Sequence, residues 1–133
     1  MKAPDAAQVV FGVSESPVGP IGFIMRSDVL LRLSFLRERH PEDWLSASPW
    51  PSAVHESEPA GFCGRLKQYF DGDIYALDGV EIALSGTPFQ RAVWLGMRRV
   101  PGGQTMTYGA LARLISRPKA VRAVGMACGA NPV

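Results

Sequence analysis

Apolar and polar positions alternate at the start of the readable chain. Over Gln8–Ser14, Val9, Phe11 and Val13 recur at every second residue, the period of a half-buried strand. Ser16-Pro17-Val18-Gly19-Pro20 is turn chemistry. Ile21–Arg26 and Val29–Phe35 are two further apolar runs, with Asp28 between them. Strand, turn, strand, turn, strand at this spacing predicts an antiparallel meander. Residues 37–61 break the pattern with Pro41, Pro49, Pro51 and Pro59. They predict a connection with a short helix near Pro41–Leu45, stapled to the sheet by Trp44 and Trp50. Phe62, Leu66, Tyr69 and Phe70 fall on one helical face, so Phe62–Phe70 is a helix that ends at Asp71-Gly72-Asp73. Ile74–Leu84 is expected to be extended, with a domain boundary near residues 82–86.

Beyond that boundary the period changes to that of helices. Thr87 can cap, Pro88 suits the first helical position, and Gln90 stands three after Thr87, which is a capping box. This helix is expected to run to about Arg99, burying Phe89, Val93, Met97 and Val100, until Pro101-Gly102-Gly103 stops it. Thr107 caps a second helix, Tyr108–Ile115, with Leu111, Leu114 and Ile115 as its apolar stripe. Ser116-Arg117-Pro118 is a tight turn whose proline is placed to open a third helix, Lys119–Ala130. That helix would bury Ala120, Val124 and Ala127, before Asn131 and Pro132 end it.

Charge changes this picture more than composition does. The formal net charge is +2, but residues 1–85 carry all twelve acidic groups and seven basic ones, a net −5. Residues 86–133 carry seven basic groups and no Asp or Glu, a net +7. That half cannot by itself supply a two-carboxylate hydrolase site or a carboxylate-held Mg²⁺ or Ca²⁺ site. So cationic a surface suits a polyanion, with nucleic acid first, although a solvated basic face that binds nothing has the same composition. Two short helices joined by a three-residue turn fit a helix-turn-helix, and equally a small helical bundle. The outward positions of the third helix include Val121, Arg122, Ala123, Gly125 and Gly129, nearly all small. Base-edge reading in the major groove calls for Asn, Gln, Arg or Lys at several such places. Small residues instead suit close, sequence-blind approach to a narrow groove, or packing against another helix.

No apolar run is long enough for a membrane span, and Met1–Asp5 lacks an apolar signal core, so a cytoplasmic protein is expected. Cys63 and Cys128 have no CxxC or Cys–His spacing, which argues for reduced thiols and against a zinc site. His40 and His55 read as exposed and inert, and Cys63 as packing. No cofactor or metal is expected.

Three collinear stretches carry a resemblance: Gly86–Trp94, then Val100–Ala112, then Pro118–Gly125 with Asn131-Pro132. They resemble the O6-alkylguanine-DNA alkyltransferases, the methylated-DNA–protein-cysteine methyltransferases. Ser16–Gly22 with Leu31–Phe35, and Leu66–Gly72, are similar to that family's N-terminal domain. The resemblance implies an α+β chain: a small ribonuclease-H-like domain with an antiparallel sheet over residues 1–84, and an incomplete winged helix-turn-helix over residues 85–133. It implies a monomer that binds double-stranded DNA through the minor groove. The activity would be direct reversal of O6-alkylguanine and O4-alkylthymine, by irreversible transfer of the alkyl group to a cysteine after nucleotide flipping. Arg122 would fill the space of the extruded nucleotide, and Tyr108 would press on the phosphate 3′ of the target. Ala123, Gly125 and Lys119 would contact DNA, and Asn131 would hold the turn after the recognition helix.

One departure is large. The family's acceptor lies in a Pro-Cys-His-Arg motif a few residues after the Asn-Pro, and this sequence ends at Val133 without it. The expectation is that residues 1–133 hold no catalytic residue and are an inactive fragment. Phe89, Val93 and Leu111 are then expected to lack covering partners. Two other readings stand beside this one. One is a non-enzymatic alkyltransferase-like lesion-binding protein, a class that generally lacks the N-terminal domain. The other is a generic DNA-binding or regulatory domain.

Overall fold

A computed structural model describes residues 8–133, so the reading of Met1–Asp5 lies outside the described residues. The chain packs as two units. One comprises the residues up to Ala83 together with Pro132–Val133, and the other Leu84–Asn131. The class is α+β.

The first unit is built on a sheet of five strands in the order β4-β1-β2-β3-β5. The meander is β1 (Val9–Ser14), β2 (Ile21–Arg26) and β3 (Val29–Phe35), paired antiparallel. A bulge between Ile24 and Met25 shifts the β2–β3 register, so that Met25 faces Leu30 and Ile24 faces Arg32. Two short edge strands were not legible in the pattern. β4 (Val54–His55) runs parallel to β1, and β5 (Glu81–Ile82) parallel to β3. Each is two residues long, too short for any periodicity to show.

Both faces of the sheet are covered. On one face Val10, Ile21, Phe23, Met25 and Leu30 pack with Phe62 and Leu66 of α2 (Phe62–Phe70) and with Val80. The Phe23 and Phe62 rings meet with centroids 4.7 Å apart. On the other face Ile24, Leu31 and Leu36 pack with Trp44 and Leu45 of α1 (Pro41–Ser46), and Trp50 joins them. The two tryptophans therefore do anchor the proline-rich connection. β2 is buried from Ile21 to Met25, because consecutive residues point to opposite faces and both faces are dry. Two glycines permit this. A Cβ on Gly12 would lie 2.7 Å from the Phe23 ring, and one on Gly22 2.9 Å from both Leu36 and Trp44.

Two expectations for this unit fail. Residues 74–80 are not extended. Ala76, Asp78 and Val80 donate to carbonyls three residues back, so the segment is a run of turns that delivers Val80 to the core. Tyr69 is 40% exposed rather than on the buried face of α2. Its ring stands edge-on to Phe70, and Phe62 and Leu66 carry the burial. Pro132 and Val133 return to this unit. The Leu33 N–H donates to the Pro132 carbonyl at 2.9 Å, and Val133 packs against the core cluster of this unit.

The second unit is three helices: α3 (Pro88–Met97), α4 (Tyr108–Leu114) and α5 (Val121–Gly129). The capping box forms, with the Gln90 N–H donating to Thr87 Oγ1 and the Thr87 N–H to Gln90 Oε1. Thr107 caps α4 through the Ala110 N–H. The third helix starts later than expected. Pro118 and Lys119 lie in a turn closed by the Ala120 N–H on the Arg117 carbonyl, and Val124 makes the first helical bond to Ala120. α4 ends in a Schellman motif, with Arg117 N–H on Ala112 O and Ser116 N–H on Arg113 O. This places Ser116 at φ 63°, a left-handed conformation that disfavours a side chain. Val93 and Leu111 are buried, contrary to the expectation that they would lack cover. Trp94, Ala112, Val124 and Ala127 close over them, and Phe89 packs at the margin.

Two substitutions test this packing by urea unfolding. Gly22→Ala should destabilise the first unit by about 1–3 kcal/mol, because its new methyl group meets Trp44 and Leu36 in a filled core. Ser116→Gly should stabilise the second unit by about 0.5–1 kcal/mol by relieving the left-handed serine.

Candidate nucleic-acid interface

α5 is held from beneath by one polar contact. Trp94 of α3 is 4% exposed, and its indole Nε1 donates to the Ala127 carbonyl at 2.7 Å, across 33 residues of sequence. Buried indole N–H groups need a partner, and this one finds a carbonyl in the last turn of α5. The bond fixes the rotation of α5 about its axis, with Val124 and Ala127 inward. A second constraint sets how closely α3 and α4 approach. A Cβ on Gly96 would stand 2.9 Å from Leu111 Cδ1 and 3.0 Å from Ile115 Cγ2, so glycine here lets the two helices touch.

With that rotation fixed, α5 turns a nearly smooth face outward. Val121, Arg122, Ala123, Met126, Gly129 and Ala130 are exposed. Gly125 is half-buried because the Tyr108 ring lies over it. A Cβ there would sit 3.2 Å from two of the ring carbons. Tyr108 itself is 53% exposed. The structure thus brings Tyr108, Arg122, Ala123 and Gly125 onto one surface. Lys119 is exposed in the turn before α5. Asn131 is half-buried after α5, its N–H donating to the Cys128 carbonyl at 3.3 Å.

All seven cations of this half, Arg91, Arg98, Arg99, Arg113, Arg117, Lys119 and Arg122, are exposed. With no carboxylate between Gly86 and Val133, the second unit carries a one-signed field. The Thr87 and Thr107 caps supply neutral oxygens to the helix N-termini, where an Asp would have introduced negative charge.

Neither thiol is activated. Burial and the nearby Glu58 carboxylate push Cys63 above the ordinary thiol value, and its Sγ lies 3.5 Å from the Ser57 carbonyl. Burial likewise raises Cys128. A raised pKa leaves less thiolate at neutral pH, the reverse of what a nucleophile needs. His55 stacks its edge on Phe11, and His40 precedes α1; both are exposed. Among the described residues no group of three His, Cys, Asp or Glu side chains could hold a metal ion.

Sequence reasoning passed over two residues here. Trp94 entered only as part of a motif, because its partner is 33 residues away. Met126 joins the outward face, as its offset from the Ala120, Val124, Ala127 stripe requires.

A cationic three-helix unit of this kind defines a class. Residues 88–133 match the family model described as 6-O-methylguanine DNA methyltransferase, DNA binding domain. A methylated-DNA–protein-cysteine methyltransferase of Salmonella typhimurium is 49% identical over 80 residues, which is 60% of this chain and 47% of that protein. The match thus spans about half the length of that relative. The enzyme of the same name from Mycobacterium tuberculosis is 36% identical over 119 residues, 90% of this chain and 68% of that protein. The crystal structure of Mycobacterium tuberculosis O6-methylguanine methyltransferase superposes with TM-score 0.76 at 32% identity, covering 94% of this chain and 72% of that one. That protein has also been crystallised in complex with DNA. The chain belongs to the methylated-DNA–protein-cysteine methyltransferase family.

Replacing Trp94 by Phe should cost about 2 kcal/mol, from the lost hydrogen bond and the small cavity left behind. Chemical unfolding followed by circular dichroism measures it, and a loss below about 0.5 kcal/mol would mean that the bond does not hold α5.

Proposed function

We propose that this chain binds duplex DNA carrying O6-alkylguanine and extrudes the alkylated nucleotide, in the service of direct repair of O6-alkylguanine and O4-alkylthymine. The observation that carries this reading is the outward face of α5, one arginine among uncharged, mostly small residues in a unit whose exposed charge is all positive. A helix so thin can enter the minor groove, and the cations around it hold phosphates without reading sequence. Arg122 fills the gap in the stack, where a guanidinium stacks on and hydrogen-bonds to the orphaned base. Tyr108, standing on Gly125, presses the 3′ phosphate outward. Ala123, Gly125 and Lys119 line the contact, and Asn131 holds the turn that follows α5. In this reading residues 1–84 form a ribonuclease-H-like domain and residues 85–133 belong to a winged helix-turn-helix domain. The chain acts as a cytoplasmic monomer. Two free thiols fit a reducing compartment.

Repair requires a thiolate that forms an S–C bond to the alkyl carbon while the O6–C bond breaks and the guanine keeps the electron pair. The family resemblance assigns this step to the cysteine of a Pro-Cys-His-Arg motif, which residues 1–133 do not contain. Cys63 and Cys128 have raised pKa values, and no histidine is among the groups acting on them. These 133 residues by themselves therefore transfer nothing.

Two measurements test the reading. Arg122→Ala should lower the fluorescence of a base analogue beside the lesion, which reports extrusion, by more than it lowers duplex affinity. Equal losses would reduce Arg122 to a phosphate contact. Incubation with DNA carrying isotopically labelled O6-methylguanine should leave residues 1–133 unlabelled, and a methyl group on Cys63 or Cys128 would refute the assignment of both thiols.

A further inference from the structure

Met126 is 75% exposed, the most exposed large apolar side chain among the described residues. It stands four residues after Arg122 on α5, one turn further along the same outward face. Residues 123, 125, 129 and 130 around it are Ala, Gly, Gly and Ala, so nothing on the helix shields it. Single exposed apolar side chains are ordinary. This one is grouped. Val121 is 41% exposed and Tyr108 53%, and Tyr108 lies over Gly125. At about 100° per residue, Val121, Gly125, Arg122 and Met126 fall within an arc of about 140°. On the helix itself the lone cation of the face therefore has Val121 and Met126 to either side, neither of which donates a side-chain hydrogen bond.

We propose that Met126 is a positioning residue that packs into the minor groove about 6 Å along the helix from Arg122, holding α5 against sugar and base edges by apolar contact. The proposal rests on the DNA-binding reading above. A thioether has no hydrogen-bond donor, so it cannot select a base, and its three rotatable bonds let it fit grooves of varying width. A lysine or arginine at this place would be drawn to the phosphates instead. Met126 contributes no charge, so its effect on binding does not depend on counterion release.

The test compares residues 1–133 with the Met126→Ala, Met126→Gln and Met126→Leu variants, using anisotropy of a fluorescent duplex with one O6-methylguanine across a salt series. The alanine and glutamine variants should bind about 5- to 10-fold more weakly with an unchanged salt slope, and the leucine variant within about two-fold of the parent. Thermal unfolding should not move in any of the three, since the side chain is outside the core. Hydrogen peroxide should oxidise Met126 readily in the free protein and slowly with duplex present. Near-parental affinity of the alanine variant, in a protein where Arg122→Ala impairs extrusion, overturns the role of Met126 alone. Equal oxidation with and without duplex does the same. Protection of Met126 by raised protein concentration without DNA assigns it to self-association. A parent chain that binds no duplex at any salt removes the DNA-binding reading itself.

Discussion

The hydrogen bond from Trp94 to the Ala127 carbonyl is the contact on which the second unit turns. A helix made of Val, Arg, Ala, Gly, Met and Cys has few large apolar side chains with which to lock its rotation. Val124 and Ala127 are buried but small, so apolar packing alone holds the rotation less tightly than a large side chain would. One directional bond, in a dry setting where its loss strands an indole N–H, selects a single rotation. Every outward property of α5 follows from that choice: Arg122 and Met126 in solvent, and Gly125 beneath Tyr108. The thinness that leaves the helix poorly anchored is also what would let it enter a narrow groove, so anchor and function draw on the same residues.

The first unit solves a related problem by omission of side chains. Its central strand has large residues on both faces, Ile21, Phe23 and Met25 on one and Ile24 on the other. Aromatic rings then have to lie close to backbone, which is why Gly12 stands against Phe23 and Gly22 against Trp44. Gly96 plays this part between α3 and α4. In both units, glycines at contacts rather than at turns set how closely the layers approach. Among the described residues two buried side-chain nitrogens have no hydrogen-bond partner, Arg32 Nε and the indole nitrogen of Trp44 on the α1 side. The Trp44 ring is retained for shape, and Trp94 shows what the same group does when a carbonyl is in reach.

Much of this was legible from residue order alone. The three meander strands, α2 and the N-caps of α3 and α4 depend on contacts within a few residues, and period and capping chemistry report such contacts directly. The charge division was legible as well, since it is only a count. The misreadings share a cause. Residues 74–80 read as extended but fold as turns, because Leu77 and Val80 pack into a core formed by distant elements. The expected start of α5 at Lys119 is too early, because Pro118 is a good first helical residue in isolation. Here the turn bond from Ala120 to Arg117 competes with the helix and prevails.

What the sequence determined by itself was the class of surface: a carboxylate-free, cationic half whose third helix is small-faced, with the residue string of its family. Those are properties of composition and order. Only the tertiary structure decided which of those residues share a face. A rotation of α5 by one position towards Met126 would bury that thioether and expose Val124, an exchange of apolar residues that the sequence pattern alone does not forbid. The choice is made by a carbonyl and an indole that are 33 residues apart in the chain and 2.7 Å apart in the fold.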